Sequence, residues 1–162
     1  MNHGLFSWFS FQDSCCFPKR ASFEDILFLF KVEENENKTL LINTLPISEQ
    51  SILIPKTFDA TIEEHTINEI VERQHQHQWT IFIYGRNSTD HTIEKRYKQI
   101  YALGFSYSNI WIYYGGLFEY VMLQELYGKE CFPLIGKITE NDFFRLKPCR
   151  KKTNVPCLPS SI

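Results

Sequence analysis

Six polar residues, Arg86, Asn87, Ser88, Thr89, Asp90 and His91, stand between an apolar run and an amphipathic one. They follow the strand-like segment Trp79 to Tyr84, pass through Gly85, and open the helical pattern His91 to Leu103. In open α/β sheets, a loop that leaves the carboxyl end of a strand for a helix is where ligands bind. Outward-pointing amides at the helix start can hold an anion. Glycine at 85 permits close backbone approach, and Arg86 can add positive charge. One reading is therefore a phosphate or other oxyanion pocket built on Arg86 and Ser88. The plainer reading is that Ser88, Thr89 and Asp90 satisfy the amides of the loop and helix start, with Asp90 as N-cap. Asp90 would also repel an anion at that place. Of the histidines, only His91 is placed to act as a base for the hydroxyls of Ser88 or Thr89.

Other reactive residues offer less. The five cysteines, Cys15, Cys16, Cys131, Cys149 and Cys157, show no paired zinc-like spacing and read as free thiols in a reducing, cytoplasmic setting. Cys131, just after an apolar helix, reads as a packing residue rather than a catalytic one. His75 and His77 alone do not make a metal site, and no cofactor is expected. Arg150-Lys151-Lys152 gives only weak, salt-sensitive attraction to acidic surfaces, and the net charge of -2 adds no general pull toward nucleic acid.

The positioning elements follow from periodicity. Ser22 caps a helix from Phe23 to about Lys31. Thr39 to Leu45 reads as a strand buried on both faces, and Ser51 to Pro55 as a second short strand. Thr61 to Arg73 forms a helix with Ile62, Ile67, Ile70 and Val71 on one side. In the helix His91 to Leu103, Ile93, Tyr97 and Ile100 point inward, while Lys95, Arg96 and Lys98 face water. Gly104 is its C-cap. Asn109 to Tyr114 is a strand, and Gly115-Gly116 turns into a helix over 117–127 that is apolar on most faces and so expected to be buried. A last short helix is expected over Thr139 to Leu146. Short links between alternating strands and helices predict an α/β fold, a parallel sheet flanked by helices on both faces. Right-handed crossovers then bring Gly85 and Gly115 to the same edge.

Taken in order, these segments resemble a rhodanese-like domain. Ser22 to Leu27 is similar to its opening helix, and Leu40-Leu41-Ile42-Asn43-Thr44 to a strand ending in an Asp-x-Arg type sequence. Ile54-Pro55-Lys56-Thr57 resembles its His-Ile-Pro-Gly turn, and Ile81-Phe82-Ile83-Tyr84-Gly85 the strand that ends in Tyr-Cys. Leu103-Gly104-Phe105 with Asn109-Ile110 resembles its Leu-x-x-x-Gly-Phe-x-x-Val stretch. Tyr114-Gly115-Gly116-Leu117-Phe118-Glu119-Tyr120 resembles its Gly-Gly-x-x-x-Trp motif. The wording of that last motif, with Gln124, Tyr127-Gly128 and Phe132-Pro133, is similar to a branch in large DNA viruses of eukaryotes and in protists.

The resemblance implies a sulfurtransferase loop whose first residue is a nucleophilic cysteine. Here that place holds Gly85, and a residue with no side chain cannot carry a persulfide. Asn43-Thr44-Leu45 also lacks the acid and the arginine, and Lys56-Thr57 replaces the turn glycine. The resemblance thus implies a domain over 21–137 without sulfurtransferase activity. An aromatic arm precedes it over 1–20, and a short helix and flexible basic tail follow over 138–162. The expected role is a binding or scaffold module whose partner is another protein. The expected pocket is lined by Gly85, Arg86, Ser88, Thr89, Gly115 and Gly116, and a small oxyanion is an alternative ligand. A second alternative is a membrane-associated or particle-structural protein. It would act through residues 5–17, with Cys15 and Cys16 open to palmitoylation. No secretory signal and no apolar run near the ~20 residues that span a bilayer is evident.

Overall fold

The computed structural model describes residues 18–31 and 38–136. Four strands form a parallel sheet in the order β1-β5-β4-β2: β1 (Lys19–Arg20), β2 (Thr39–Asn43), β4 (Thr80–Tyr84) and β5 (Ile110–Tyr113). The helices are α1 (Phe23–Lys31), α2 (Ala60–Glu72), α3 (Thr92–Ala102) and α4 (Gly116–Tyr127). This α/β order is consistent with the rhodanese-like arrangement that the resemblance implies.

Period-two alternation divides the strand residues between two cores. Leu41, Phe82, Tyr84 and Tyr113 point to one face, where Ile26 of α1 and Leu117, Tyr120 and Val121 of α4 cover them. Leu40, Ile42, Ile81, Ile83, Ile110 and Ile112 point to the other, under Ile67 and Ile70 of α2 and Ile93 and Ile100 of α3. The run Leu40-Leu41-Ile42 is buried on both sides, as its composition predicts. Register sets Asn43 beside Tyr84 and Tyr84 beside Tyr113. The residues that follow these strands therefore share one edge.

Local chemistry explains the helix ends. Ser22 and Asp25 form a reciprocal cap at α1, with the Ser22 amide 2.8 Å from Asp25 Oδ2 and the Asp25 amide 3.4 Å from Ser22 Oγ. Gly104 and Gly128 follow the last residues of α3 and α4 with positive φ, where the pattern places helix stops.

Several expectations need correction. Lys19–Arg20 is not part of an irregular arm. It pairs in parallel with Trp111–Ile112, and Lys19 lies over the Trp111 ring, 4.8 Å from its centroid. The short strand near Ser51 is β3 (Ile52–Leu53), and it lies outside the parallel sheet. It pairs antiparallel with β6 (Ile135–Gly136), which no sequence signal marked. Helix α4 is buried only along Leu117, Tyr120, Val121 and Gln124, because nothing among the described residues covers its outer side. Cys131 is exposed, since Phe132 takes the inward place at that turn. The arm with Cys15 and Cys16, the helix at Thr139 to Leu146 and the basic tail lie outside the described residues. Among those described, no helix is long and apolar enough to cross a membrane.

The α2–α3 contact also departs from the pattern. Ile62 is exposed, and Glu63 is buried in its stead, paired with Arg96 of α3. Arg96 therefore bends toward the protein instead of facing water. Burial raises the Glu63 carboxyl above its ordinary value, and the hydrogen bond and charge of Arg96 offset only part of that. Arg96→Ala leaves this carboxylate buried without its cation. Its expected cost is roughly 2 kcal/mol at neutral pH, between the costs of breaking an exposed and a buried pair. A raised carboxyl favours the fold more as it gains a proton, so the deficit of the variant shrinks as pH falls toward 5. Urea unfolding of both proteins at pH 7 and pH 5 checks this. An equal deficit at both values would contradict it.

Candidate functional site

The carboxyl edge of the sheet brings together the ends of β2, β4 and β5. Strand β4 is anchored by the residue before the loop. Tyr84 is fully buried, and its hydroxyl lies 2.8 Å from Thr57 Oγ1 and 3.4 Å from the Ile54 amide. Burial pushes this phenol up to about 12, although both hydrogen bonds act in the opposite direction. The turn at Thr57 depends on Lys56, which takes φ +63, the left-handed conformation where the resemblance has glycine. Lys56 Nζ then reaches the Leu29 carbonyl at 3.0 Å and ties the turn to α1.

Beyond Tyr84 the loop closes on itself through Asp90. Its Oδ2 accepts from the Arg86 amide at 2.9 Å, and its Oδ1 from the Thr92 amide at 3.0 Å. Thr92 Oγ1 lies 2.5 Å from Asp90 Oδ1 and 2.8 Å from Thr44 Oγ1. The Thr92 hydroxyl thus faces two acceptors, the Asp90 carboxylate and Thr44 Oγ1, and shares its one proton between them. Asn87 adds a smaller turn, with its Oδ1 accepting from the Thr89 amide at 3.1 Å. Asp90 thus does more than the N-cap role expected of it. The residue flanking α3 is His91, which makes no side-chain cap, and Asp90 satisfies both the loop and the helix start.

The loop amides therefore already hold a carboxylate. Desolvation opposes the charge on Asp90. The Thr92 hydroxyl, the two amides and the Arg86 charge outweigh it, and they hold the carboxyl below the ordinary aspartate value. Arg86 is not a free cation for a ligand, because its guanidinium pairs with Glu49 on the 3-10 turn Ile47–Glu49.

Both glycines of interest serve close approach. A Cβ at Gly85 would lie 2.8 Å from Ile93 Cγ1 and from Thr44 Oγ1, and closer still to the Asp90 carboxylate. Gly116 has φ +63, and a Cβ there would lie 2.5 Å from the Gly85 carbonyl. That proximity lets the first amides of α4 brace the loop. Leu117 donates to Gly85 O and Phe118 to Arg86 O, each at 2.9 Å. Beside Gly115, the space for a side chain is filled by Glu119.

Two recesses flank the loop, and they divide the expected pocket residues. Arg86, Asn87, Thr89, Asp90 and His91 line a cleft of about 410 Å³ together with Thr44, Leu45, Pro46, Glu49 and Thr92. Ser88 lines a separate recess of about 450 Å³ with Pro18, Arg20 and Tyr114. Ser88 and His91 thus line different recesses, while Thr89 and His91 line the same one. Gly115 and Gly116 line neither recess and support the loop from behind. Sequence reasoning missed Glu49 and Thr92, and reached Thr44 only through the Asn43-Thr44-Leu45 stretch of the resemblance. Parallel register pointed to Thr44, which follows Asn43, the partner of Tyr84. Nothing in the local pattern marked Glu49 as the partner of Arg86. No group of three or more His, Cys, Asp or Glu residues among those described could hold a metal ion.

No protein-family model matches the chain, and no curated protein matches it either.

Asp90→Ala removes the carboxylate that holds both ends of the loop. The expected loss is about 1 kcal/mol at pH 7, the scale of a lost helix cap. Because the folded carboxyl sits below its ordinary value, its contribution is complete above about pH 4 and disappears as pH falls through the folded value. The stability gap between wild type and variant therefore closes in acid. Denaturant midpoints at pH 7 and pH 3 measure it, and a gap that widens in acid contradicts the assignment.

Proposed function

We propose that the chain is a catalytically inactive rhodanese-like domain that works as a binding or scaffold module for another protein. One observation carries the reading. Gly85 stands at the nucleophile place of the resemblance, and Asp90, Ile93 and Thr44 fill the space that a side chain there would need. A thiolate at that place would meet the Asp90 carboxylate, and that like charge would raise its pKa where sulfur transfer needs it lowered. The oxyanion alternative has no comparable support, because the Arg86 amide and guanidinium are engaged by Asp90 and Glu49. The cleft beside Thr44, Glu49 and Thr92, the recess beside Ser88 and the outer side of α4 offer surfaces to a partner. A reducing, cytoplasmic setting is part of this proposal, as is membership of the viral and protist branch.

A thiosulfate–cyanide sulfurtransferase assay on the purified protein tests the reading. Wild type is expected to show no turnover above buffer. Turnover in wild type that disappears in Cys131→Ser would place the chemistry at that exposed thiol and contradict an inactive domain. Gly85→Cys is expected to gain no activity and to lose roughly 1–3 kcal/mol of stability, the cost of overpacking a filled site.

A further inference from the structure

The side of α4 that faces solvent carries an apolar stripe bordered by glutamates. Phe118, Met122 and Leu126 recur every fourth residue and form one stripe, with exposures of 44%, 40% and 73%. Tyr127, at the C-terminal end of the helix, is 64% exposed. The opposite side, with Leu117, Tyr120, Val121 and Gln124, is anchored in the core. Scattered exposed apolar residues are ordinary, but a continuous stripe on a rigid helix is the form of a contact surface. The stripe also begins beside the loop, since the Phe118 amide donates to Arg86 O.

The surrounding charge selects the occupant. Glu119 stands at the N-terminal end of the stripe, and Glu125 and Glu130 toward its C-terminal end. From Gly116 to Gly136, Lys129 is the one cation among the described residues. A second copy would pair two α4 helices antiparallel about Met122, which sets Glu119 of one chain opposite Glu125 of the other. That arrangement opposes like charges twice. We propose that the stripe docks an amphipathic helix of another protein, apolar on the side that meets Phe118, Met122 and Leu126 and carrying Lys or Arg at both ends. Apolar contact then supplies affinity, and the flanking charges fix orientation and exclude a second copy. This deepens the binding role proposed above by naming its surface and the chemistry of its partner.

The probe is a labelled helical peptide of ~14 residues, about the length of α4, with Leu at every fourth position and Arg at both ends. A matched peptide carries Glu in place of Arg. Fluorescence anisotropy with the full chain is expected to show saturable binding of the Arg peptide and at least roughly tenfold weaker binding of the Glu peptide. Met122→Asp, at an exposed position that leaves the fold intact, is expected to weaken the Arg peptide by at least roughly tenfold. The double variant Glu119→Lys with Glu125→Lys is expected to remove the preference for Arg over Glu. Absence of binding, or equal binding by wild type and Met122→Asp, overturns the proposal. So does a wild-type dimer in sedimentation that dissociates in Met122→Asp, which would make a second copy the occupant. Binding seen only when Arg150→Glu, Lys151→Glu and Lys152→Glu are combined assigns the stripe to the chain's own tail and also overturns it. The sulfurtransferase assay reads the Gly85 edge and the peptide reads the outer side of α4, so the two proposals fail separately.

Discussion

The Asp90 carboxylate holds the Gly85-to-Thr92 turn in shape from within, and the carboxyl edge of the sheet is arranged around it. A loop between a parallel strand and a helix leaves backbone amides that need acceptors. Here one side chain accepts from the Arg86 amide on one side and from the Thr92 amide and hydroxyl on the other. The carboxylate can sit there only because Gly85 has no side chain to displace it. Gly116 in turn lets α4 approach closely enough for two of its amides to hold the loop carbonyls. The two glycines and the aspartate therefore depend on one another. A bulkier residue at either glycine would push apart the groups that the aspartate joins.

Much of the architecture was legible in the chain because it depends on short-range pattern. The buried run Leu40 to Ile42, the apolar strand ending at Tyr84 and the glycines after α3 and α4 each carry a local signal, and the parallel sheet follows from their alternation. What was not legible depends on contacts between distant segments. Lys19–Arg20 is polar and has no strand pattern of its own, yet it completes the sheet by pairing with β5. The burial of Glu63 has no signal in its helix pattern, since only the fold brings Arg96 of α3 to it. The site divides in the same way. Asp90 was recognisable as a cap from its place before the helix, but its bond to the Arg86 amide and the pairing of Arg86 with Glu49 required the folded loop. The outer side of α4 misled because apolar composition alone cannot distinguish a helix buried all round from one with an exposed apolar side.

These features point the same way. At the edge where this fold class usually binds its ligands, the amides of Arg86 and Thr92, the Arg86 guanidinium and the space beside Gly85 are taken by groups of the chain itself. What stays open beside that edge is the polar cleft lined by Thr44, Glu49 and Thr92, and α4 keeps Phe118, Met122 and Leu126 exposed. The closed edge also gives stability to a turn that would otherwise depend on a ligand to satisfy it.

The most direct test of this account is a carbon-detected NMR titration of the Asp90 carboxyl, followed together with the Arg86 amide proton. The account predicts a midpoint below the ordinary aspartate value and an Arg86 amide shift that moves with that same midpoint. An Asp90 midpoint at or above the ordinary value, with an Arg86 amide indifferent to it, would contradict the claim that this carboxylate occupies the loop.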